Sequence, residues 1–229
     1  MIPLRDNFKP KEFPLVTYTL AFLNCAIYFW DRGGLWMADS RFAEFAMRPK
    51  EILLVLQGQG DPTTLVTIYT SMFLHGNLAH LVTNLLFLIV FGENVEAALG
   101  SVRFALYYVA WGLLAAMSHI YVDMNSWIPT LGASGAIGGV LGAYFLLFPG
   151  NRVKFIVFPL FFLPFITAAW VLLGIWFLAQ IFLPQQGVAN WAHAGGFLAG
   201  MLTVILLGGR TKILAAEPLV ESNLELEGF

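Results

Sequence analysis

Gly132-Ala133-Ser134-Gly135-Ala136-Ile137-Gly138-Gly139-Val140-Leu141-Gly142-Ala143 is the stretch on which the reading of this chain turns. It carries no charge, and its small residues recur at four-residue spacing, Gly135 with Gly139 and Gly138 with Gly142. On a helix that spacing lines up one face, and in a membrane such a face lets two backbones approach closely. A polar side chain, Ser134, stands near its start. The rest of the chain decides the solvent. Of 229 residues, 59% are apolar and 11% charged, and mean hydropathy is +0.75. Soluble domains run at about 45–50% apolar and about 25% charged. Too few charges remain to cover a core of that size, which excludes a water-soluble enzyme, a disordered chain and a nucleic-acid binder. The single Cys25 excludes an intrachain disulfide and a Cys-rich metal cluster. The chain reads as an integral membrane protein.

Crossing about 30 Å of hydrocarbon takes roughly 20 mostly apolar residues in a helix. Charges and Pro/Gly clusters divide the chain into six such stretches, near 14–30, 72–92, 102–121, 134–148, 165–183 and 191–209. The expected fold is therefore all-α, a polytopic six-helix transmembrane bundle. Residues 1–13 form a cytoplasmic N-terminal segment and 14–210 the membrane domain. Residues 211–229 form an acidic cytoplasmic tail, expected to be disordered because it has no apolar face to bury. The first loop, 31–71, mixes charges with Phe42, Phe45, Met47, Ile52 and Leu53, which predicts a folded element at the membrane interface.

Orientation follows from the basic residues. Arg5, Lys9, Lys11, Arg103, Arg152, Lys154, Arg210 and Lys212 fall on one side; Arg32, Arg41, Arg48 and Lys50 fall on the other, balanced there by acids. Both termini are expected in the cytoplasm. The short termini favour a prokaryotic plasma membrane.

Polar groups inside hydrocarbon are costly and are functional candidates by default. No span carries an Asp near its middle; Ser134, His193, His80 and Asn84 do lie within spans, with His75 just above His80. Counting back from the inner ends of spans two, four and six gives depths. Ser134 lies about 22 Å from its inner end, His193 roughly 24 Å and His80 about 20 Å, at 1.5 Å per residue. All three fall about 6 to 10 Å below the outer edge of a slab about 30 Å thick. The sixth span opens Trp191-Ala192-His193-Ala194-Gly195-Gly196, with Ala192, Gly196 and Gly200 at four-residue spacing. If its small face meets that of span four, Ser134 and His193 come within hydrogen-bond reach.

A serine hydroxyl becomes a useful nucleophile when a base takes its proton, and neutral His is the usual base. With no acid at that depth the expectation is a Ser–His dyad, Ser134 with His193. Ser134 also starts a helix, where unpaired N–H groups can donate to a developing oxyanion. His80 and Asn84 share one helix face and supply side-chain donors at the same level. Taken singly, each of these residues also has a plain packing reading, Ser134 among glycines, His193 as a satisfied polar group, Asn84 as interhelix glue. Packing alone predicts no common depth. His75 reads as a structural residue at the outer end of its helix, and His119, at the outer end of span three, as interfacial.

Other chemistries fit less well. A zinc protease wants His-Glu-x-x-His, and His75 and His80 are five apart with Gly76, Asn77, Leu78 and Ala79 between. An aspartyl protease needs two membrane Asp residues. A transporter would show half-repeats and charges at the midplane.

Across residues 65–210 the chain resembles the rhomboid intramembrane serine proteases. Gly132-Ala133-Ser134-Gly135 matches the family's GxSG, Ala192-His193-Ala194-Gly195-Gly196 its alanine–histidine–glycine signature, and His80 with Asn84 its HxxxN. Thr70 to Gly76, Phe91 to Glu96, Leu99-Gly100 and Arg103-Phe104 are similar too. The resemblance implies Ser134 as nucleophile and His193 as base, with His80, Asn84 and the Gly132–Ser134 backbone around the oxyanion. It implies transmembrane proteins as substrates, cleaved beside the outer membrane boundary, and neither cofactor nor metal. A relative without proteolytic activity that binds membrane clients is the alternative. Two departures stand out. Trp36 is followed by Met37 where some rhomboids have Trp-Arg, and Gly138 stands where some place an aromatic that stacks on the histidine. Another group must then orient His193. Span five, with Pro159 and Pro164 upstream and the Pro184-Gln185-Gln186-Gly187 loop after it, is the expected substrate gate.

Overall fold

A computed structural model describes residues 1–8, 10–33, 40–157, 163–183, 185 and 187–216. Pro159, Pro184, Gln186, Trp36, Met37 and the tail 217–229 lie outside the described residues. The helices are α1 (Leu15–Arg32), α2 (Pro49–Leu56), α3 (Thr67–Thr70), α4 (Leu78–Leu99), α5 (Ser101–Val122), α6 (Ser134–Leu147), α7 (Ala169–Phe182), α8 (Asn190–Leu206) and α9 (Gly209–Ala216). Strands are β1 (Ile2–Asp6), β2 (Arg152–Ile156) and β3 (Phe165–Ala168). The chain is a predominantly helical membrane bundle, and α1, α4, α5, α6, α7 and α8 answer to the six expected spans. Helices α4 and α5 are each long and apolar enough to cross a membrane; α8 and α9 pass that test together, bent by 71° at the break between them.

Helix α6 sits at the centre, packed on α8, α5, α4, α7 and α9, while α1 leans on α4 from outside. Its glycines explain how. A β-carbon on Gly142 would stand 1.9 Å from the carbonyl oxygen of Phe197, and one on Gly200 1.9 Å from that of Gly139. Helices α6 and α8 therefore meet backbone to backbone, along the two small-residue faces. Trp111, Tyr108, Phe104, Phe91, Val140, Leu141 and Tyr144 fill the space around them. With 14 residues, α6 is only about 21 Å long, shorter than the hydrocarbon, so a helix whose inner end reaches the boundary begins below the outer one.

Three boundaries differ from expectation. Span two begins helically at Leu78, not near 72, because Asn77 turns the chain and its side chain caps the helix by accepting from His80 N at 2.8 Å. Span five begins at Ala169, not 165, because 165–168 pairs antiparallel with β2. Residues 211–216, assigned above to a disordered tail, are helical in α9; Ile213 is buried, and Arg210 Nε donates to Leu147 O at 2.8 Å.

The end of the bundle away from the start of α6 holds features that composition did not foretell. The sheet runs β1-β2-β3, with Ile2 opposite Ile156 and Asp6 opposite Val153. Asp6 accepts hydrogen bonds from Asn94 Nδ2 and the Tyr144 hydroxyl. Helix α1 follows Pro14 without a capping side chain of its own. Glu96 of α4 supplies one, accepting from Val16 N at 2.9 Å, Thr17 N at 2.7 Å and Thr17 Oγ1 at 2.8 Å. In the first loop, α2 buries Ile52, and Met47 pairs with Thr130 in an isolated antiparallel bridge.

Candidate active site

Ser134 is the first residue of α6 and His193 lies in the first turn of α8. The close approach of these helices puts Ser134 Oγ 2.7 Å from His193 Nε2. That is an ordinary O–H···N distance for a hydroxyl donating to a ring nitrogen.

Gly132, two residues before the serine, has φ +124, a conformation that side chains rarely adopt. Its N–H is taken by Ser71 O at 2.8 Å. A β-carbon there would lie 2.7 Å from His80 Cε1, 2.8 Å from His80 Nε2 and 3.6 Å from Asn84 Nδ2. His80 and Asn84 of α4 thus press against the backbone that leads into Ser134. The five residues singled out in the sequence form two adjoining groups, Ser134 with His193 and Gly132 with His80 and Asn84, joined by the Gly132–Ser134 segment.

His75, read above as structural, supports the second group. Asn84 Nδ2 donates to His75 Nε2 at 2.9 Å, and His75 Nδ1 faces Phe73 O at 3.3 Å. Its ring also meets that of His80 edge-on, centroids 5.2 Å apart. Arg32 of α1 ties this turn down, donating from Nη2 to the carbonyls of His75 and Gly76, each at 3.0 Å.

Three residues that the sequence reading passed over hold His193. Gln180 Oε1 lies 2.8 Å from His193 Nδ1 and accepts from Asn190 Nδ2 at 3.0 Å. Trp176 stacks on the imidazole, centroids 5.8 Å apart and planes inclined 29°. Both Gln180 and Trp176 come from α7, the expected gate. The signal for Gln180 was present: it is the one polar side chain besides the Trp indoles in the α7 sequence Ala-Trp-Val-Leu-Leu-Gly-Ile-Trp-Phe-Leu-Ala-Gln-Ile-Phe, and a polar group at that depth is a candidate by the rule that flagged the others.

Above the site lies a cavity of about 390 Å³, lined by Gly76, Asn77, His80, His119, Thr130 and Ala189 among others. A separate space of about 40 Å³ reaches Gly132, Ser134, Gly135 and Ala192. The two share Thr130, Leu131 and Ala189 in their linings, so the larger cavity, which includes His80, adjoins the one that reaches the serine.

The family model of the Rhomboid domain matches residues 62–210 of this chain. The chain belongs to the rhomboid family. Among curated rhomboids, it is 32% identical to Rhomboid protein 1, mitochondrial, of Saccharomyces cerevisiae over 88% of this chain and 55% of that protein. It is 32% identical to the rhomboid protease GluP of Bacillus subtilis over 71% of this chain and 29% of that one. With the rhomboid protease AarA of Providencia stuartii it shares 30% identity over 83% of this chain and 71% of that protein. The chain thus spans only about half, or less, of the length of the first two.

Proposed function

We propose that this rhomboid is an intramembrane serine endopeptidase working through a Ser134–His193 dyad. The observation that carries the reading is the 2.7 Å contact between Ser134 Oγ and His193 Nε2 at the start of α6, with a cavity large enough for water at the neighbouring His80. His193 takes the hydroxyl proton as Oγ attacks the scissile carbonyl carbon, and a tetrahedral oxyanion forms. Donors for that charge are the N–H groups at the α6 start and the side chains of His80 and Asn84, which stand at Gly132. His193 then gives its proton to the leaving amine, and the acyl chain remains on Ser134. Water from that cavity, deprotonated by His193, releases the acyl chain and restores the serine.

Transmembrane proteins are the proposed substrates, entering from lipid. Support comes from the family and from relatives that are themselves named rhomboid proteases. A cell-membrane placement with cytoplasmic termini rests on the distribution of basic residues; the Bacillus and Providencia relatives favour a bacterial membrane, and the yeast one names the mitochondrion as the alternative.

The test uses purified protein in detergent and in liposomes, treated with a fluorophosphonate serine-hydrolase probe and read by intact mass. Wild type gains one label, and folded Ser134→Ala and His193→Ala gain none. Absence of label on folded wild type in liposomes overturns the protease reading in favour of a client-binding rhomboid.

A further inference from the structure

Every hydrogen bond behind His193 has a direction fixed by a backbone group. The chain of contacts starts at Gln185, whose backbone N–H donates to Asn190 Oδ1 at 3.1 Å. A peptide N–H can only donate, so the Asn190 oxygen faces Gln185 and its NH₂ faces Gln180. That NH₂ donates at 3.0 Å and needs the oxygen of Gln180 as acceptor. The other end of the Gln180 amide agrees: its Nε2 donates to the carbonyl of Trp176 at 3.3 Å, and a carbonyl can only accept. Gln180 Oε1 therefore points at His193 Nδ1, 2.8 Å away. An oxygen there requires Nδ1 to carry the hydrogen. Nε2 is left with its lone pair, and it is Nε2 that meets Ser134 Oγ.

From this we infer that Gln180 is a positioning residue, which fixes the tautomer of His193 that can accept the serine proton and steadies the imidazolium formed when it does. The inference rests on the protease reading above. It assigns to a neutral amide the place that a buried carboxylate takes in a Ser–His–Asp triad, where the third member holds the ring and its tautomer. In the membrane that substitution has a physical logic, because an amide oxygen accepts the same hydrogen bond without burying a charge. Asn190 in turn holds the Gln180 amide in the needed orientation. It connects the dyad to the backbone of Gln185, beyond α7, so the base is armed only while α7 lies against α8.

The experiment measures fluorophosphonate labelling rates across pH for wild type, Ser134→Ala, Gln180→Met, Gln180→Glu and Asn190→Ala, each checked for folding by thermal melt in the same detergent. Label that does not depend on Ser134 overturns the protease reading itself. With Ser134-dependent label in hand, Gln180→Met keeps the length of the side chain, loses the acceptor, and slows labelling about tenfold, the worth of one hydrogen bond to a group that becomes charged. Asn190→Ala slows it severalfold. Gln180→Glu restores an acceptor oxygen, recovers most of the rate, and moves the pH of half-maximal labelling upward because the new carboxylate favours a protonated ring. Wild-type rate and pH profile in folded Gln180→Met overturn the proposal. Should Gln180→Met fail to fold, an unshifted pH profile in Gln180→Glu overturns it instead.

Discussion

A β-carbon on Gly138 would stand 2.7 Å from the carbonyl oxygen of His193. The position four residues after the serine is thus filled by the backbone of α8, and no aromatic ring could occupy it to stack on the imidazole. Trp176 covers the ring from α7 instead. The same closeness of α6 and α8 that brings Ser134 to His193 removes the room for a support on α6.

Removing the indole isolates that support. Trp176→Ala is expected to slow probe labelling about two- to tenfold, matching the roughly 0.5–1.5 kcal/mol of an aromatic stacking contact. Trp176→Phe keeps a ring and most of the rate. Equal rates in all three proteins would show that the stack contributes nothing to the dyad.

Bulk added between α6 and α8 acts on the whole bundle. Gly142→Ala and Gly200→Ala each place a methyl 1.9 Å from a backbone oxygen that no rotamer change can move aside. Each is expected to cost about 1–3 kcal/mol or more, seen as a lower melting temperature in detergent, and to lower activity by parting Ser134 from His193. Gly174→Ala, whose nearest neighbour would be Phe145 at 3.8 Å, serves as the neutral control.

On the oxyanion side the donors should rank. Asn84→Ala removes a direct donor and is expected to lower kcat about 10²–10³-fold with little change in KM. His75→Ala leaves Asn84 in place but frees its amide from the 2.9 Å hydrogen bond to His75; a smaller loss, about tenfold, is expected. Cleavage of a transmembrane reporter in liposomes reads both. The reverse ranking would mean that His75, not Asn84, faces the developing charge.

Beside the sheet, burial pushes the Asp6 carboxyl up to about 6, against the opposing pull of its hydrogen bond from Tyr144. Between the ordinary carboxylate value and that point the folded protein holds a proton that the unfolded chain has lost. Stability contributed by this group is therefore greatest in acid and falls as pH rises through about 4 to 6. The full effect is on the order of 3 kcal/mol. Thermal melts of wild type against Asp6→Asn at pH 5 and 7.5 check it. The wild type should lose stability relative to the variant at the higher pH, and a constant difference would refute the assignment.

Much of this fold is written in local sequence. The six bundle helices follow from apolar runs cut by charge and Gly/Pro, and the meeting of α6 with α8 follows from small residues at four-residue spacing. The sheet left no such trace. In β1, Ile-Pro-Leu-Arg-Asp has no clean alternation, and its partner β2 is remote in the chain, so only the folded bundle brings the two edges together. Phe165-Ile-Thr-Ala was absorbed into span five because a short apolar strand and the first turn of a helix look alike by composition. Gln180 was harder still. Its position in α7 was visible, but its contact with His193 depends on how α7 turns against α8, and neither helix encodes that angle by itself.

The pairing of β1 with β2 also sets an order of assembly. Residues 2–6 are synthesised well before their pairing partners at 153–156, which are made only after α1, α4, α5 and α6. Through most of synthesis the N-terminal edge has nothing native to pair with, and such an unpaired edge invites mispairing. Its closure, with Asp6 seated between Asn94 and Tyr144, is then a late event that reports the arrival of α6 beside α4, so that amide protection of Asn7, whose N–H donates to Arg152 O at 3.1 Å, would time the completion of the bundle.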